Sequence, residues 1–172
     1  MISWTDIHAN AWTQLQQARQ ADRLPHALLL TGPAGIGKLE FAEAFASSLL
    51  CDNPGPDGLA CGSCTACTWH ASGNHPDFRL LQPDALAEEE TEVADSSGKK
   101  KPSQQITIDQ VRALDDFLHV GTHRQGVRVI LVNPAEAMNR ATANSLLKSL
   151  EEPIVSTLFI LVSSESKRLL PT

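Results

Sequence analysis

The sequence lacks any apolar run long enough to cross a lipid bilayer. A transmembrane helix needs roughly 20 consecutive apolar residues, whereas the longest run here, Leu158–Val162, has the length of a strand. The first residues also lack the pattern of a signal peptide, because Asp6 and His8 stand where a basic segment should give way to an apolar one. We therefore expect a cytoplasmic protein with no membrane partner.

An excess of positive charge is absent as well. Lysine and arginine number 14 against 20 aspartates and glutamates, which gives a formal net charge of −6. This balance argues against a protein that grips the phosphate backbone of a nucleic acid unaided. Nothing in the sequence resembles the carboxylate cluster of a polymerase or nuclease, so we expect no such activity from this chain itself.

The residues that are present describe one globular domain. A chain of 172 residues with 42% hydrophobic and 20% charged residues can bury the core of a single α/β unit. Helical patterns alternate with four apolar runs of strand length, which are Ala27–Leu30, Phe78–Leu81, Val127–Val132 and Thr157–Val162. This alternation predicts right-handed crossovers and a mainly parallel sheet, with binding sites at the carboxyl ends of its strands. The first run is unbroken, which is typical of a strand buried on both faces.

The spacing of apolar and capping residues predicts the helices. An opening helix is indicated by four apolar residues that would share one face, namely Trp4, Ile7, Trp12 and Leu15. A second helix follows over about 37–50. Asp109 and Asn139 are placed to cap two later helices, because a short polar side chain can accept a hydrogen bond from the first helical turn.

Residues 84–105 break this regular pattern. The stretch is acidic at first, then rich in serine and glycine, and then carries the triplet Lys99–Lys101. It contains no apolar periodicity that could offset the entropy of ordering it. We therefore predict a flexible loop, acidic and then lysine-containing, within the domain.

A candidate phosphate-binding loop directly follows the first predicted strand. The sequence fits Gly-x4-Gly-Lys and lies between a strand and a helix, as such loops do. Glycines let the backbone turn its N–H groups inward, the helix directs its positive end to the same place, and the lysine adds a mobile charge. The alternative is an ordinary glycine-rich turn. The candidate nucleotide-binding residues are Gly32, Pro33, Gly35, Ile36, Gly37 and Lys38.

The positions that usually handle Mg²⁺ beside such a loop carry the wrong side chains. The residue after the lysine is normally Ser or Thr, whose hydroxyl coordinates the metal, but it is Leu39 here. An acidic residue should follow the third predicted strand, but Asn133 and Pro134 do so instead. Glu136 comes after this proline turn, and we do not expect it to occupy the same point. The site is therefore predicted to admit ATP or ADP without hydrolysing it and to hold no Mg²⁺.

Four cysteines lie within one short segment, residues 51–67. In a cytosolic chain such a group is more often a metal site than a set of disulfides. Overlapping Cys-x2-Cys pairs let backbone amides point at the sulfurs, and four thiolates form a closed tetrahedral Zn²⁺ site with no open position for catalysis. We predict a structural zinc insert held by Cys51, Cys61, Cys64 and Cys67.

Other assignments of this segment stay open. An iron–sulfur cluster is the second choice, since Cys-x2-Cys-x2-Cys occurs in ferredoxins, although the fourth ligand there lies downstream and is followed by proline. His70 or His75 could replace Cys51 as the fourth ligand. Unligated thiols are the simplest alternative.

Four motifs are spread over most of the chain. Leu24–Ala27 precedes the phosphate loop, the cysteine insert at residues 51–67 follows it, and Ile108–Arg112 comes later. The most specific motif runs from Ala143 to Pro153 and contains Leu-Leu-Lys-x-Leu-Glu-Glu-Pro. Together they resemble bacterial clamp-loader subunits of DNA polymerase III, which belong to the AAA+ superfamily.

This resemblance implies a three-layer P-loop domain of the AAA+ type that carries a small zinc-binding insert. In the family, the motor subunit keeps a hydroxyl after the loop lysine and an Asp-Glu pair after the third strand. Leu39, Asn133 and Pro134 therefore resemble the member that does not hydrolyse ATP itself. Ser163 and Ser164 would lie where other members place a sensor of the γ-phosphate, and we interpret them first as groups that cap the strand end.

The resemblance also implies partners and a mechanical role. The non-hydrolysing member belongs to a five-subunit ring, together with motor subunits and delta, that loads the sliding clamp onto primed DNA. It is part of a DNA polymerase holoenzyme but is expected to have no polymerase or ATPase activity of its own. An active or slow ATPase of the motor type and a zinc-dependent interaction module outside replication stay open as alternatives.

Clamp-loader subunits are longer than this sequence. They continue past the position of Thr172 into a Ser-Arg-Cys segment, a last sheet strand, a helical lid and a helical collar domain. We therefore expect residues 1–172 to form an incomplete AAA+ domain in which the edge of the first strand is exposed.

Overall fold

The computed structural model describes residues 4–90, 102–119, 122, 126–152 and 154–164. Within these ranges, no helix is long and apolar enough to cross a membrane. The strands are β1 (Ala27–Thr31), β2 (Phe78–Leu81), β3 (Arg128–Val132) and β4 (Thr157–Ser163). The helices are α1 (Trp4–Gln20), α2 (Lys38–Leu50), α3 (Thr65–Ala71), α4 (Asp84–Glu90), α5 (Ile108–His119) and α6 (Arg140–Glu151).

The four strands form one sheet in the order β1-β4-β3-β2, and every neighbouring pair is parallel. This confirms the predicted α/β class and its mainly parallel sheet. Thr31 at the end of β1 lies beside Ser163 at the end of β4. The carboxyl ends of the strands therefore meet along one edge, where the phosphate loop leaves β1.

Helices cover both faces of the sheet, which makes three layers. Successive side chains of a strand point to opposite faces. Accordingly, Ile130 and Val132 of β3 pack with Leu114 of α5 and Leu146 of α6, while Val129 and Leu131 pack with residues of α2. All of β3 is buried, so the core lies on both sides of this central strand.

Two predictions of apolar burial are wrong in detail. Ile7 is 49% exposed, because α1 leaves helical geometry at His8 (φ −112°, ψ 15°) and this change rotates the first turn away from the face that carries Trp12. In β1, Leu28 and Leu30 pack against the α2 side, but Leu29 points to the other face and is 53% exposed. The strand β1 is therefore not buried on both faces.

Helix α4 corrects the first part of the predicted 84–105 loop. Residues Asp84–Glu90 are helical rather than irregular. Contacts with residues distant in sequence hold this short helix, because Asp84 Oδ1 accepts from Gln110 Nε2 (3.1 Å) and the N–H of Ala85 donates to Ser103 O (3.0 Å). Residues 91–101, including the lysine triplet, lie outside the described residues.

The helix caps agree with the sequence in one case and differ in the other. Asn139 caps α6 as predicted, because its Oδ1 accepts a hydrogen bond of 2.9 Å from the backbone N–H of Thr142. Helix α5 is capped by Thr107 and not by Asp109. Thr107 Oγ1 accepts from Gln110 N (3.3 Å), and Gln110 Oε1 accepts from Thr107 N (2.8 Å). This reciprocal pair is a capping box, whose Thr-x-x-Gln signature was present in the sequence.

Candidate functional site

The phosphate loop lies between β1 and α2 at the carboxyl edge of the sheet. Gly35 and Gly37 have φ of 79° and 80°, a left-handed conformation that side chains with a Cβ rarely adopt. Gly37 is also the N-cap of α2, so the glycine lets the chain turn sharply and enter the helix. The first N–H groups of α2 therefore open onto the loop, as an anion-binding loop requires.

Lys38 is buried and hydrogen-bonded to the phosphate loop. Its side chain is 7% exposed, and Nζ donates to the carbonyl oxygens of Gly32 (2.9 Å) and Pro33 (2.6 Å). A third hydrogen bond of 3.3 Å goes to Oγ of Ser164, just beyond β4. The lysine thus ties the phosphate loop to the end of a different strand.

Glu136 is part of the same network, which no motif in the sequence indicated. Its Oε1 accepts a 2.9 Å hydrogen bond from the backbone N–H of Ser164. The Glu136 carboxylate and the Lys38 ammonium therefore bind the same residue, Ser164, the first at its backbone N–H and the second at its hydroxyl. The short 3₁₀ turn at Ala135–Ala137 brings it back toward β4 after the proline, and spacing along the sequence could not show this.

The pKa of Glu136 is lowered from its ordinary value. Partial burial raises the pKa, but hydrogen bonds from the backbone N–H groups of Ser164 and of Glu136 itself outweigh that effect. The hydroxyl of Ser163 and the positive charge of Lys38 lower it further. The site therefore holds a permanent negative charge at neutral pH, in addition to the positive charge of its lysine.

The other positions beside the loop offer no such charge. Leu39 is partly buried and packs against the apolar cluster on the α2 side of the sheet, so its side chain offers no ligand to a metal. Asn133 donates its backbone N–H to Leu81 O (3.0 Å), as the continuation of the strand pairing. The predicted absence of a hydroxyl and of a strand-end carboxylate at these positions remains, while Glu136 adds an acidic group that was not expected nearby.

Helix α1 contacts the back of the phosphate loop. The Nε2 atom of His8 lies 2.8 Å from the carbonyl oxygen of Ile36, and the His8 ring meets the edge of Phe41 at 5.4 Å between centroids. The change of backbone direction at His8 gives the ring this position. His8 belongs to no recognisable sequence motif, so this contact could not be predicted.

The four cysteines of the insert come together in space. Their sulfur atoms all lie within 4.8 Å of one another. The Cys51–Cys64 and Cys61–Cys67 sulfur pairs are both 3.9 Å apart. Four thiolates around Zn²⁺ with Zn–S of about 2.3 Å would be separated by roughly 3.8 Å, so the cluster has the size of a tetrahedral zinc site.

Backbone amides point at these sulfurs, as the overlapping Cys-x2-Cys pairs predict. Cys51 Sγ accepts from the N–H groups of Asn53 (3.4 Å) and Cys61 (3.3 Å). The N–H of Cys64 points at Cys61 Sγ, and that of Cys67 points at Cys64 Sγ, both at 3.4 Å. Such hydrogen bonds stabilise negative charge on sulfur, which is the form that binds metal.

The thiols of the cluster differ in acidity. Backbone hydrogen bonds from Ser63 and Cys64 lower the pKa of Cys61 to about 6. Burial is the largest cause that raises the pKa of Cys67 to about 12. Cys61 is exposed and Cys67 is buried. A metal would therefore meet a ready thiolate at Cys61 and would have to displace a proton from Cys67.

The histidines near the insert do not join this group. His75 is buried, and its Nδ1 accepts from the backbone N–H of Asp77 (3.1 Å). His70 lies against Phe78, with 4.6 Å between ring centroids. Burial, and after it the neighbouring His75, lowers the pKa of His70. Among the described residues the candidate metal group consists of the four cysteines, without either histidine.

The insert is attached to α1 by two hydrogen bonds. The indole N–H of Trp12 donates to Asp57 O (2.9 Å), and Gln16 Nε2 donates to Gly58 O (3.4 Å). A Cβ at Gly58 would lie 2.5 Å from the Gln16 side chain, and Gly58 also has a φ of 78°. The turn between Cys51 and Cys61 is therefore fitted closely to this helix.

Two of the sequence motifs meet at the opposite edge of the sheet. His26 Nε2 lies 3.0 Å from Leu150 O, a carbonyl in the last turn of α6. His26 is thus a hydrogen-bonded structural residue. His26 of the motif Leu24–Ala27 therefore caps the last turn of α6, the helix that contains most of the motif Ala143–Pro153.

A protein family and several individual proteins are similar to this chain over most of its length. A family described as DNA polymerase III, delta subunit, matches residues 7–172. The chain is 47% identical over 161 residues to DNA polymerase III subunit delta' of Pseudomonas aeruginosa, covering 94% of this chain and 43% of that protein. It is 34% identical over 175 residues to the subunit of the same name from Bacillus subtilis, covering 99% of this chain and 47% of that protein. The chain thus spans less than half the length of these relatives.

A solved structure has a similar fold. It is a DNA polymerase III gamma subunit-related protein from Thermotoga maritima, with a TM-score of 0.55 and 20% sequence identity. The match covers 92% of this chain and 42% of that one. At this identity the comparison supports the three-layer architecture alone.

Proposed function

The chain belongs to the family described as DNA polymerase III, delta subunit, and from that membership we propose that it acts within a clamp loader. The protein would be a subunit of the complex that places the sliding clamp on primed DNA during replication. Its partners would be the motor subunits and delta. The sliding clamp and the primed DNA would be contacted through the assembled ring.

Within that complex the proposed role is that of a member that does not hydrolyse ATP. The observation that carries this proposal is the place of Leu39, whose partly buried side chain packs against the apolar cluster where a metal-binding hydroxyl would be needed. Asn133 and Pro134 follow β3, where an acidic residue would hold or activate water. Without these groups the charge that develops on a transferred phosphate would not be balanced.

Reconstitution of the complex tests this role. We expect full-length protein that contains this chain to co-purify with motor subunits and delta. The Lys38→Ala variant should leave the ATP turnover of the assembled complex within about twofold of the unmodified complex, a change of under ~0.5 kcal/mol in barrier. A tenfold loss of turnover with intact assembly would contradict the proposed role, and a failure to co-purify would favour an interaction module outside replication.

We further propose that the cysteine cluster holds a structural zinc ion. The sulfur spacing, the four converging thiols and the amide hydrogen bonds to sulfur support this assignment. The ion would supply four strong bonds in a segment that has little apolar surface to bury. Four sulfur ligands leave no open position, so the ion would take no part in catalysis.

A slow ATPase is the second candidate, because one observation favours it. Glu136 places a carboxylate near Lys38 through Ser164, and carboxylates can hold Mg²⁺ beside a phosphate. This carboxylate can either bind a metal or repel a phosphate. The two possibilities predict opposite effects of removing its charge.

A further inference from the structure

The hydrogen-bonding capacity of Lys38 is fully used. A lysine ammonium has three N–H donors, and Lys38 directs them to Gly32 O, Pro33 O and Ser164 Oγ. The bonds to the two carbonyl oxygens are 2.9 and 2.6 Å long, whereas the bond to the serine hydroxyl is 3.3 Å. The hydroxyl contact is the weakest of the three by length and is the one that a bound anion would replace most readily.

The position of this weak contact defines which phosphate would replace it. In a loop of this kind the backbone N–H groups hold the inner phosphates, while the lysine reaches toward the β- and γ-phosphates. A terminal phosphate that takes the third N–H of Lys38 must enter the space next to Ser164. The inner phosphates, held by the glycine-rich backbone, need not approach Ser164.

Glu136 also borders the space next to Ser164. Its Oε1 accepts the backbone N–H of Ser164 at 2.9 Å, so this amide at the end of β4 is already bound to an anion. Its Oε2 is buried and has no hydrogen-bond partner among the described residues. The carboxylate is therefore a fixed negative group with little solvent around one of its oxygens. A terminal phosphate placed there would meet a like charge at close range, with weak screening.

We propose that Glu136 acts as an internal anion that excludes a terminal phosphate, so that the loop selects nucleoside diphosphates over triphosphates. This inference rests on the proposed function, because it assigns a ligand preference to the loop of a member that does not hydrolyse ATP. The carboxylate occupies the donor that a γ-phosphate would use, and it balances the charge of Lys38 without a ligand. A diphosphate gains the contacts of the loop and shares the Lys38 ammonium through its β-phosphate, without entering the space next to Ser164 and Glu136.

Equilibrium titration of full-length protein with ADP and with ATP tests this preference. The titrations are run in EDTA and again with Mg²⁺, for the unmodified protein and for Glu136→Gln. Glutamine keeps an oxygen that can accept from Ser164 but removes the charge. We expect the unmodified protein to bind ADP about tenfold more tightly than ATP, and Glu136→Gln to reduce this ratio to about threefold or less.

A matched control separates local from general charge effects. Glu152→Gln removes the same charge from an exposed residue at the far end of α6, and it should leave the ADP-to-ATP ratio unchanged. Circular dichroism of both variants shows whether they fold. If Glu136→Gln does not fold, Glu136→Ala replaces it. This variant also removes the negative charge and should narrow the preference for ADP in the same way.

Three results would overturn the inference. Equal affinities for ADP and ATP in the unmodified protein would remove the preference itself, as would the absence of binding by either nucleotide. Weaker binding of ATP with Mg²⁺ to Glu136→Gln would show that the carboxylate is a metal ligand. Phosphate release measured in the same samples reports separately on the proposed function, because turnover by the unmodified protein would contradict that role whatever the affinity ratio.

Discussion

Single residues decide what the phosphate loop can bind. Lys38 supplies one buried positive charge, and its three hydrogen bonds hold the loop against the end of β4. At the position that usually carries a metal-binding hydroxyl, the side chain of Leu39 packs against the apolar cluster instead. Glu136 returns a negative charge to the same edge of the sheet. We therefore propose that the loop binds an anion but holds poorly the cation that usually accompanies it.

The acidity of single thiols gives a prediction at this scale. In protein from which metal has been removed, iodoacetamide should modify Cys61 first, because Cys61 is exposed and its pKa is lowered to about 6. Its rate should rise through pH 6 and then level off as the thiolate form becomes complete. Cys67, buried and with its pKa raised to about 12, should react slowest and still gain rate above pH 8. Mass spectrometry of the digested protein measures both rates.

Bound metal provides the control for this reactivity. Addition of Zn²⁺ before the reagent should protect all four cysteines together, since each would be a ligand. Protection of only some of them, or faster modification of Cys67 than of Cys61, would contradict the assignment of acidity and ligands.

Local sequence signals account for most of the elements and for their caps. The four strands and the Asn139 cap were predictable because neighbouring residues determine them. The cap of α5 was read wrongly, because Asp109 was preferred to Thr107 and its partner Gln110. The kink at His8 was not predictable, because it accompanies contacts with a loop 28 positions away in the sequence.

Removal of the α6 cap should have a measurable cost. Asn139→Ala leaves the backbone N–H of Thr142 without its acceptor, and we expect a loss of about 1 kcal/mol in the free energy of unfolding. Asn144→Ala, at an exposed position within the same helix, removes an amide that caps nothing and should not destabilise the protein. Urea denaturation measures both. An equal effect of the two substitutions would show that the Asn139 hydrogen bond does not stabilise the helix.

We expect the stability of the insert to depend on bound zinc. Chelation of zinc should lower the melting temperature by roughly 5 °C or more, because a loss of ~2 kcal/mol already shifts a domain of this size by several degrees. The indole fluorescence should change at the same time, since Trp12 donates to Asp57 O in the turn between two ligands. Differential scanning calorimetry and fluorescence follow the two effects.

The Trp12→Phe variant shows how much of the fluorescence change comes from Trp12. Phenylalanine keeps a ring on α1 but has no N–H for Asp57 O, so the part of the fluorescence change that comes from Trp12 should disappear. The part that comes from Trp69 in α3 and the drop in melting temperature should remain. If chelation, verified by elemental analysis, left both the melting temperature and the fluorescence of the unmodified protein unchanged, the insert would not be organised by zinc.

For the molecule as a whole, the sheet brings together groups that the sequence keeps far apart. Glu136 and Ser164 are 28 positions apart, and Lys38 and Ser164 are 126 apart. The phosphate loop and the cysteine set were recognisable because each lies in one short segment. The contribution of Glu136 was not, because parallel pairing of β3 and β4 creates the contact. The sequence therefore predicted the phosphate loop but gave no sign of the carboxylate beside it.

We infer that this domain keeps an anion-binding loop but lacks the groups that use Mg²⁺ for hydrolysis. Steady-state phosphate release from ATP by purified full-length protein tests it most directly, with Lys38→Ala as the matched blank. We predict that the two proteins release phosphate at the same background rate, with or without Mg²⁺. Turnover that requires Mg²⁺ and is abolished by Lys38→Ala would contradict the account.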